Sequence, residues 1–309
     1  MNKIIPNSQS LVPATAVSLF SGCGGFDWGV KQSGIEIIWA NDIDPHAAHA
    51  YKGLFPDVKF TLGDVREVTT FPEADILIGC YPCTGFSLGS RRRSKKSKAR
   101  NLRANSDNFL YTEFLRALKQ VRPMYLFVEN VGGMISADDG WFFDQQLQGF
   151  RRLGYNVYTQ VLEASNYGAA QSRKRLFIVG VHEAAEKQYE FLKPTHGGEG
   201  QPRIRTMADV LKKLPRVRPG EYFDYKFHGH YLTRNRKRPW DMPSYTIVAN
   251  AHHVPLHPSG KPMKYVAKDH WKLQGSWNRR LSWKEGAALQ GLPESIQPSG
   301  SLHPSVPVC

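Results

Sequence analysis

A short apolar run, Ala16 to Phe20, passes directly into the glycine-rich stretch SGCGGFDWG, and this junction constrains the fold more than any other feature of the chain. An unbroken apolar run bounded by turn residues reads as a buried strand, and glycines let a backbone approach a ligand closely. The alternation then repeats. IEIIWAND (35–42) reads as a strand, PHAAHAYKGLF (45–55) as a helix, TLGD (61–64) as a strand end and ADILIGC (74–80) as a strand. FLYTEFLRALKQV (109–121) is a helix and MYLFVEN (124–130) a strand, followed by a helix over 141–154 and strands over 155–164 and 175–182. Strands alternating with helices at this spacing predict an α/β fold with a doubly wound, mostly parallel sheet.

From about 185 to 276 the pattern gives way to Pro, Gly, His and Arg with few periodic segments, before helical spacing resumes at SWKEGAALQGL (282–292). The chain therefore divides into 11–184, a small irregular basic region over 185–276, and a terminal segment over 277–309. Residues 1–13 are polar, carry two prolines and read as a loose leader. With 309 residues, 41% of them apolar, the chain can bury a substantial core.

Lys and Arg number 41 against 27 Asp and Glu, a formal charge of +14 that favours a polyanionic partner over a basic protein without one. No apolar run approaches the ~20 residues of a membrane span. The N-terminus lacks the charged-then-apolar layout of a signal peptide, so a cytoplasmic location is expected. The four cysteines, Cys23, Cys80, Cys83 and Cys309, do not suggest a disulfide framework in so long a chain, which leaves room for a working thiol.

Asp42 ends the strand after the glycine-rich turn and Asp64 the one after that, a layout suited to gripping an adenosine-containing cofactor at the carboxyl edge of a sheet. The run is not GxGxxG, and a turn that merely joins strand to helix is the alternative. In ADILIGCYPCTGFS, Cys83 stands just past a buried strand, with Pro82 stiffening the turn that presents a partly exposed, reactive thiol. Cys80 and Cys83 also form a CxxC, readable as a redox pair or half a zinc site, but no second pair exists and Cys80 belongs to the apolar strand. AHHVPLHP (251–258) looks like metal ligands yet lacks cysteines or carboxylates at suitable spacing, so no metal is expected.

Glu129, at the end of MYLFVEN, would meet Cys83 at one sheet edge and could deliver a proton there; a carboxylate capping the next turn is the alternative. In QSRKRLFIVG, Arg173 and Arg175 point the same way by period-two alternation and suit an anion or a carbonyl, or else a surface ion pair. The loop RRRSKKSKARNLR (91–103) offers Arg91, Arg92, Arg93, Lys95 and Lys96 for phosphate contact; a solvated charge run is the plainer reading.

The ordered motifs LFSGCGGFDWG, NDIDP, GDV, PCTGFS, ENV, QSRKR and RRLSWKEGAALQGLPE resemble the cytosine-5 DNA methyltransferase family of bacterial restriction-modification systems. The likeness covers about 16–182 and 240–296, and the unmatched 185–240 falls where that family keeps its target-recognition region. The resemblance implies a Rossmann-like S-adenosylmethionine-dependent fold, with a catalytic and cofactor-binding domain at 11–184 and target recognition at 185–276. It implies that Phe20, Ser21, Gly22, Cys23, Gly24 and Gly25 contact the cofactor, that Asp42 holds the ribose, that Ile43, Asp64 and Val65 surround the adenine, and that Pro82 borders both ligands. Cys83 would attack carbon 6 of a flipped-out cytosine. Glu129 would bond ring atom N3, Arg175 would hold the base carbonyl and Arg173 would support the loop. Tyr81, Thr84 and Ser87 would join the basic loop against the nucleic acid.

The resemblance further implies S-adenosylhomocysteine as product, double-stranded DNA as partner, a restriction endonuclease acting on the same sequence, and a monomer. Two departures stand out: Thr84 replaces a common glutamine, and the final segment, SGSLHPSVPVC, reads as cut short or replaced. An RNA cytosine-5 methyltransferase and a nucleic-acid-binding relative with impaired catalysis are the alternatives.

Overall fold

The computed structural model describes residues 13–82 and 102–296. Strands β1 (Thr15–Leu19), β2 (Glu36–Asp42), β3 (Lys59–Leu62), β4 (Ile76–Gly79), β5 (Tyr125–Asn130), β6 (Tyr155–Glu163) and β7 (Lys174–His182) form one sheet, in the order β3-β2-β1-β4-β5-β7-β6. The first five are mutually parallel, as the alternation of strands and helices predicts. Strand β7 runs antiparallel between β5 and β6. Only ten residues, with a single 3-10 turn, join β6 to β7. A parallel return would need a crossover of a dozen or more, so the strand must reverse.

Strands β1 and β4 lie inside the sheet and are apolar almost throughout, because both of their faces are covered. On one face, helices α3 (Tyr111–Val121) and α4 (Trp141–Arg152) bring Phe114, Phe142 and Phe150 against Leu77, Leu126 and Val128. On the other, Phe26 and Val30 of α1 (Gly25–Gln32) pack on Ile37, Ile76 and Ile78. Helix α2 (Pro45–Leu54) starts where the sequence announces it, with Pro45 at its first position and the Asp44 side chain accepting from the His46 N–H.

Beyond β7 regular structure thins to a short helix α5 (Met207–Leu211) and a hairpin of β8 (Lys264–Ala267) and β9 (His270–Lys272). A small core of Tyr231, Leu256 and Met263 holds this region, with Trp271 and Leu273 packed on it. Two buried cations tie its loops. Arg280, 1% exposed, donates to the carbonyls of Phe223 and Tyr225 and lies over the rings of Phe223, Phe227 and Tyr231. Lys237 donates to the Ser259 and Lys261 carbonyls and to the Asn278 side chain.

Helix α6 (Trp283–Leu289) then returns to the first half of the sheet, where Trp283, Ala287 and Ile296 meet Tyr51, Leu54 and Phe55. Its start is a capping box, Ser282 with Glu285, and the same Glu285 takes a two-pronged bond from Arg279. No helix among the described residues is long and apolar enough to cross a membrane.

One core group is a carboxylate. Asp27 of α1 is buried and accepts from Ser18 of β1 at 2.8 Å and from Tyr51 of α2 at 2.7 Å. Burial pushes its pKa up to about 6, against the lowering effect of both hydroxyls. A raised folded-state pKa means that the protonated carboxyl favours the fold. That contribution is complete below the ordinary value of 3.8 and is lost as pH climbs through about 6. Replacing Asp27 by Asn removes this titration. Denaturant unfolding should therefore shift in favour of Asp27→Asn, relative to the parent, by about 2–3 kcal/mol between about pH 4 and about pH 7. A difference that stays flat with pH would contradict the assignment.

Candidate active site

The parallel strands end at one edge, and the glycine-rich turn lies there. Phe20 leaves β1 with φ 56°, a strained value for a non-glycine residue, and Ser21 N–H donates to the Asn41 carbonyl at 3.0 Å. The Gly22 N–H donates to the Asp42 carboxylate at 2.8 Å, and the Asp44 N–H to its other oxygen at 2.9 Å. Burial raises the Asp42 pKa, and these backbone donors oppose the rise. Asn41 donates to the carbonyls of Thr61 and Gly63, which fixes the β2 and β3 ends together.

Ile43 is 64% exposed and Leu62, register partner of Asp42, is 52% exposed, so two apolar side chains flank the carboxylate in solvent. Val65 is buried beside them, and Asp64 is bonded to Arg66, which holds its carboxyl below the usual range. Apolar walls, a carboxylate and an open glycine turn suit an adenosine-like group. Leu62 escaped the sequence reading because TLGD looks like any strand end; its exposure next to Asp42 is visible only once β2 and β3 are paired.

The far side of the edge begins at β4. Cys80 N–H donates to the Leu19 carbonyl at 3.2 Å, and burial together with the Glu129 and Asp27 carboxylates holds the Cys80 thiol well above its usual pKa. Tyr81 corrects the sequence reading. It was expected against nucleic acid, but it is 4% exposed, donates to Gln146 and packs on Phe20 and Phe114. Its side chain thus supports the turn from the core side, and the Asn130 side chain holds its carbonyl at 3.3 Å. Pro82 follows, half-buried. Cys83, Thr84, Ser87, Arg91, Arg92, Arg93, Lys95 and Lys96 lie outside the described residues.

Glu129 ends β5 with two guanidinium partners, Arg175 Nε at 2.8 Å and Arg173 Nη2 at 3.6 Å. The reversed direction of β7 makes this possible. Its first residues lie at the edge where β5 finishes, with Glu129 opposite Phe177 and Asn130 opposite Leu176. Burial and Arg175 both lower the Arg173 pKa, and Glu129 opposes them.

Sequence reasoning missed a further partner of this cluster. Segment 244–247 pairs with 170–173: Ser172 N–H donates to the Ser244 carbonyl, Thr246 Oγ1 to the Ser172 carbonyl at 2.7 Å, and the Ile247 N–H to Gln171 Oε1 at 2.9 Å. Arg173 Nη1 reaches the Ile247 carbonyl at 3.4 Å. SYTI (244–247) alternates polar and apolar residues, which is the signal that could have exposed it.

The sequence profile of C-5 cytosine-specific DNA methylases matches residues 14–303. The chain belongs to this family. Among curated relatives, this methylase is 35% identical to the type II methyltransferase M.BsuRI of Bacillus subtilis, over 91% of its own length and 70% of the relative's. It is 34% identical to M.BspRI of Lysinibacillus sphaericus, over 94% and 74%. Among solved structures, the methylase resembles Dnmt2 of S. pombe with a TM-score of 0.62 at 17% identity, covering 94% of this chain and 90% of that one. A DNMT2 variant of Spodoptera frugiperda gives 0.65 at 14% identity, covering 94% and 92%. The two structural likenesses bear on the fold.

Two glycines of the turn separate packing from binding. Gly24, at φ 84°, has the rings of Phe55 and Tyr51 within 2.6 and 3.0 Å of where a Cβ would stand, whereas around Gly22 that position is open. Gly24→Ala should lower unfolding free energy by about 1–3 kcal/mol. Gly22→Ala should cost less stability while weakening methyl-donor binding, as read by denaturant unfolding and equilibrium dialysis. Equal stability losses would contradict this division.

Proposed function

We propose that this methylase moves the methyl group of S-adenosylmethionine to carbon 5 of a cytosine flipped out of duplex DNA, with Cys83 as the nucleophile. The observation that carries the reading is the Glu129 carboxylate held by Arg173 and Arg175 at the same sheet edge as the Asp42 pocket. Cys83 follows Cys80 by three residues, at most about 11 Å of chain, and Cys80 comes directly after β4, whose last residue Gly79 pairs with Val128 next to Glu129.

In this reading Asp42 takes the ribose hydroxyls, Ile43 and Leu62 wall the adenine, and the backbone of residues 20–25 borders the rest of the cofactor. The cofactor supplies an electrophilic methyl group and leaves as S-adenosylhomocysteine. The Cys83 thiolate forms a bond to cytosine carbon 6, and the ring's electron pair shifts so that carbon 5 becomes nucleophilic. Glu129 shares a proton with ring nitrogen N3 as charge develops there, and Arg175 steadies the base carbonyl. Once carbon 5 carries the methyl group, loss of its proton to a base returns an electron pair to the ring and expels Cys83 as thiolate.

The division into a catalytic part at 11–184, a target-recognition part at 185–276 and a returning segment at 277–309 belongs to the same proposal. So do a monomeric state and a cytoplasmic setting. The curated relatives are type II methyltransferases, which supports a role in protecting a short duplex sequence from a matching endonuclease.

The test incubates the protein with labelled S-adenosylmethionine and mixed-sequence duplex DNA, with tRNA alongside, and maps the methylated positions. The expected product is 5-methylcytosine in one short DNA context, none with Cys83→Ser, and a rate about a hundred- to a thousandfold lower with Glu129→Gln. Labelling of tRNA alone, or full labelling by Cys83→Ser, would overturn the proposal.

A further inference from the structure

Four imidazoles converge in the irregular region, and the chemistry above uses none of them. His228 stacks parallel to His230 with ring centres 6.3 Å apart, and its centre is 5.8 Å from that of His252 and 5.9 Å from that of His253. His230 and His253 approach to 5.3 Å. His228 and His230 are exposed; His252 and His253 are half-buried.

The cluster is tied to the site by chain length. Ile247, whose carbonyl lies on Arg173, precedes His252 by five residues, at most about 17 Å of chain. Residues 248–250 between them are exposed, and Asn250 caps the turn bearing both histidines. A duplex docked with a base at Glu129 presents a phosphate every few ångströms along its axis. Phosphates of such a duplex fall within the span of this tether.

The groups that face the cluster are mostly cationic or neutral. Arg280 lies behind Phe223, and the ring of Phe223 meets His252 at 4.7 Å. Arg236 donates to the His253 carbonyl, with Arg234 next to it in charge. The Tyr231 N–H donates to His228 Nδ1, and Tyr225 packs on His252. Over segments 222–233 and 250–254 the charged residues besides these histidines are Lys226 and a single acid, Asp224. Burial first, then His228 and Arg280, lower the His252 pKa. Among the described residues no three His, Cys, Asp or Glu side chains are arranged to hold a metal.

We propose that this imidazole cluster lies against the phosphate backbone of bound DNA and takes up protons as the duplex docks. Arg280 and Arg236 stand beside the cluster, and an arriving polyanion opposes their field and favours the protonated rings. The inference rests on the DNA-methylating reading of the site. Linkage makes it reciprocal: if DNA raises the affinity for protons, protons raise the affinity for DNA.

The experiment measures binding of a mixed-sequence duplex by calorimetry near neutral pH, in chelator-containing buffers of different ionisation enthalpy, and repeats it across salt concentrations. Expected are a net proton uptake by the parent, a salt slope that steepens as pH falls, and loss of most of the uptake when all four histidines become Asn. Should that variant fail to fold, the exposed pair His228→Asn and His230→Asn is expected to lose a measurable part of the uptake. DNA binding with the same heat in every buffer, or uptake retained by the Asn variants, overturns this inference alone. A parent that neither binds nor methylates DNA overturns the functional reading and this inference with it.

Discussion

The reversal of β7 is the constraint on which the site depends. Five parallel strands send their carboxyl ends to one edge, which is enough to assemble the Asp42 pocket and to leave Glu129 beside it. They cannot supply the guanidinium groups, because a sixth parallel strand would carry its opening residues to the opposite edge. By running antiparallel next to β5, β7 brings Arg173 and Arg175 to the end of the strand that bears Glu129. A half-buried carboxylate with two guanidinium partners is held in place by them. The residues directly before β7 carry the pairing with 244–247, so one stretch both holds the Glu129 carboxylate and anchors the irregular region.

Most of the fold was legible from the sequence. The apolar runs of β1 and β4 follow from double burial, and the starts of α2 and α6 follow from Asp44-Pro45 and from the Ser282-to-Glu285 spacing. The direction of β7 was not legible, since alternation and apolar content are the same in either sense and only the short link after β6 decides. Tyr81 was placed against nucleic acid by the resemblance, and nothing local shows that its hydroxyl finds Gln146, 65 residues away in sequence. The burial of Asp27 was not legible for a similar reason: its partners, Ser18 and Tyr51, belong to other elements.

At the site, the residues adjoining the strand ends were readable because each polar residue there interrupts an apolar run. Asp42 and Glu129 carry that signature, and the Arg173–Arg175 pair was legible from its period-two spacing instead. Leu62 and the 244–247 segment do not. Leu62 is an apolar residue whose exposure beside Asp42 shows only in the fold, and the segment draws its meaning from a partner about 70 residues earlier in the chain.

Lys237 carries a consequence for how the irregular region endures. Its ammonium group sits among three oxygens, two from the loop at 259–261 and one from Asn278, at 2.8, 3.2 and 2.9 Å, an arrangement that many small domains obtain from a calcium ion. Here the cross-linking charge is covalently part of the polypeptide. It cannot be scavenged or exchanged, so this stretch of loops keeps its geometry whatever the mineral content of its surroundings.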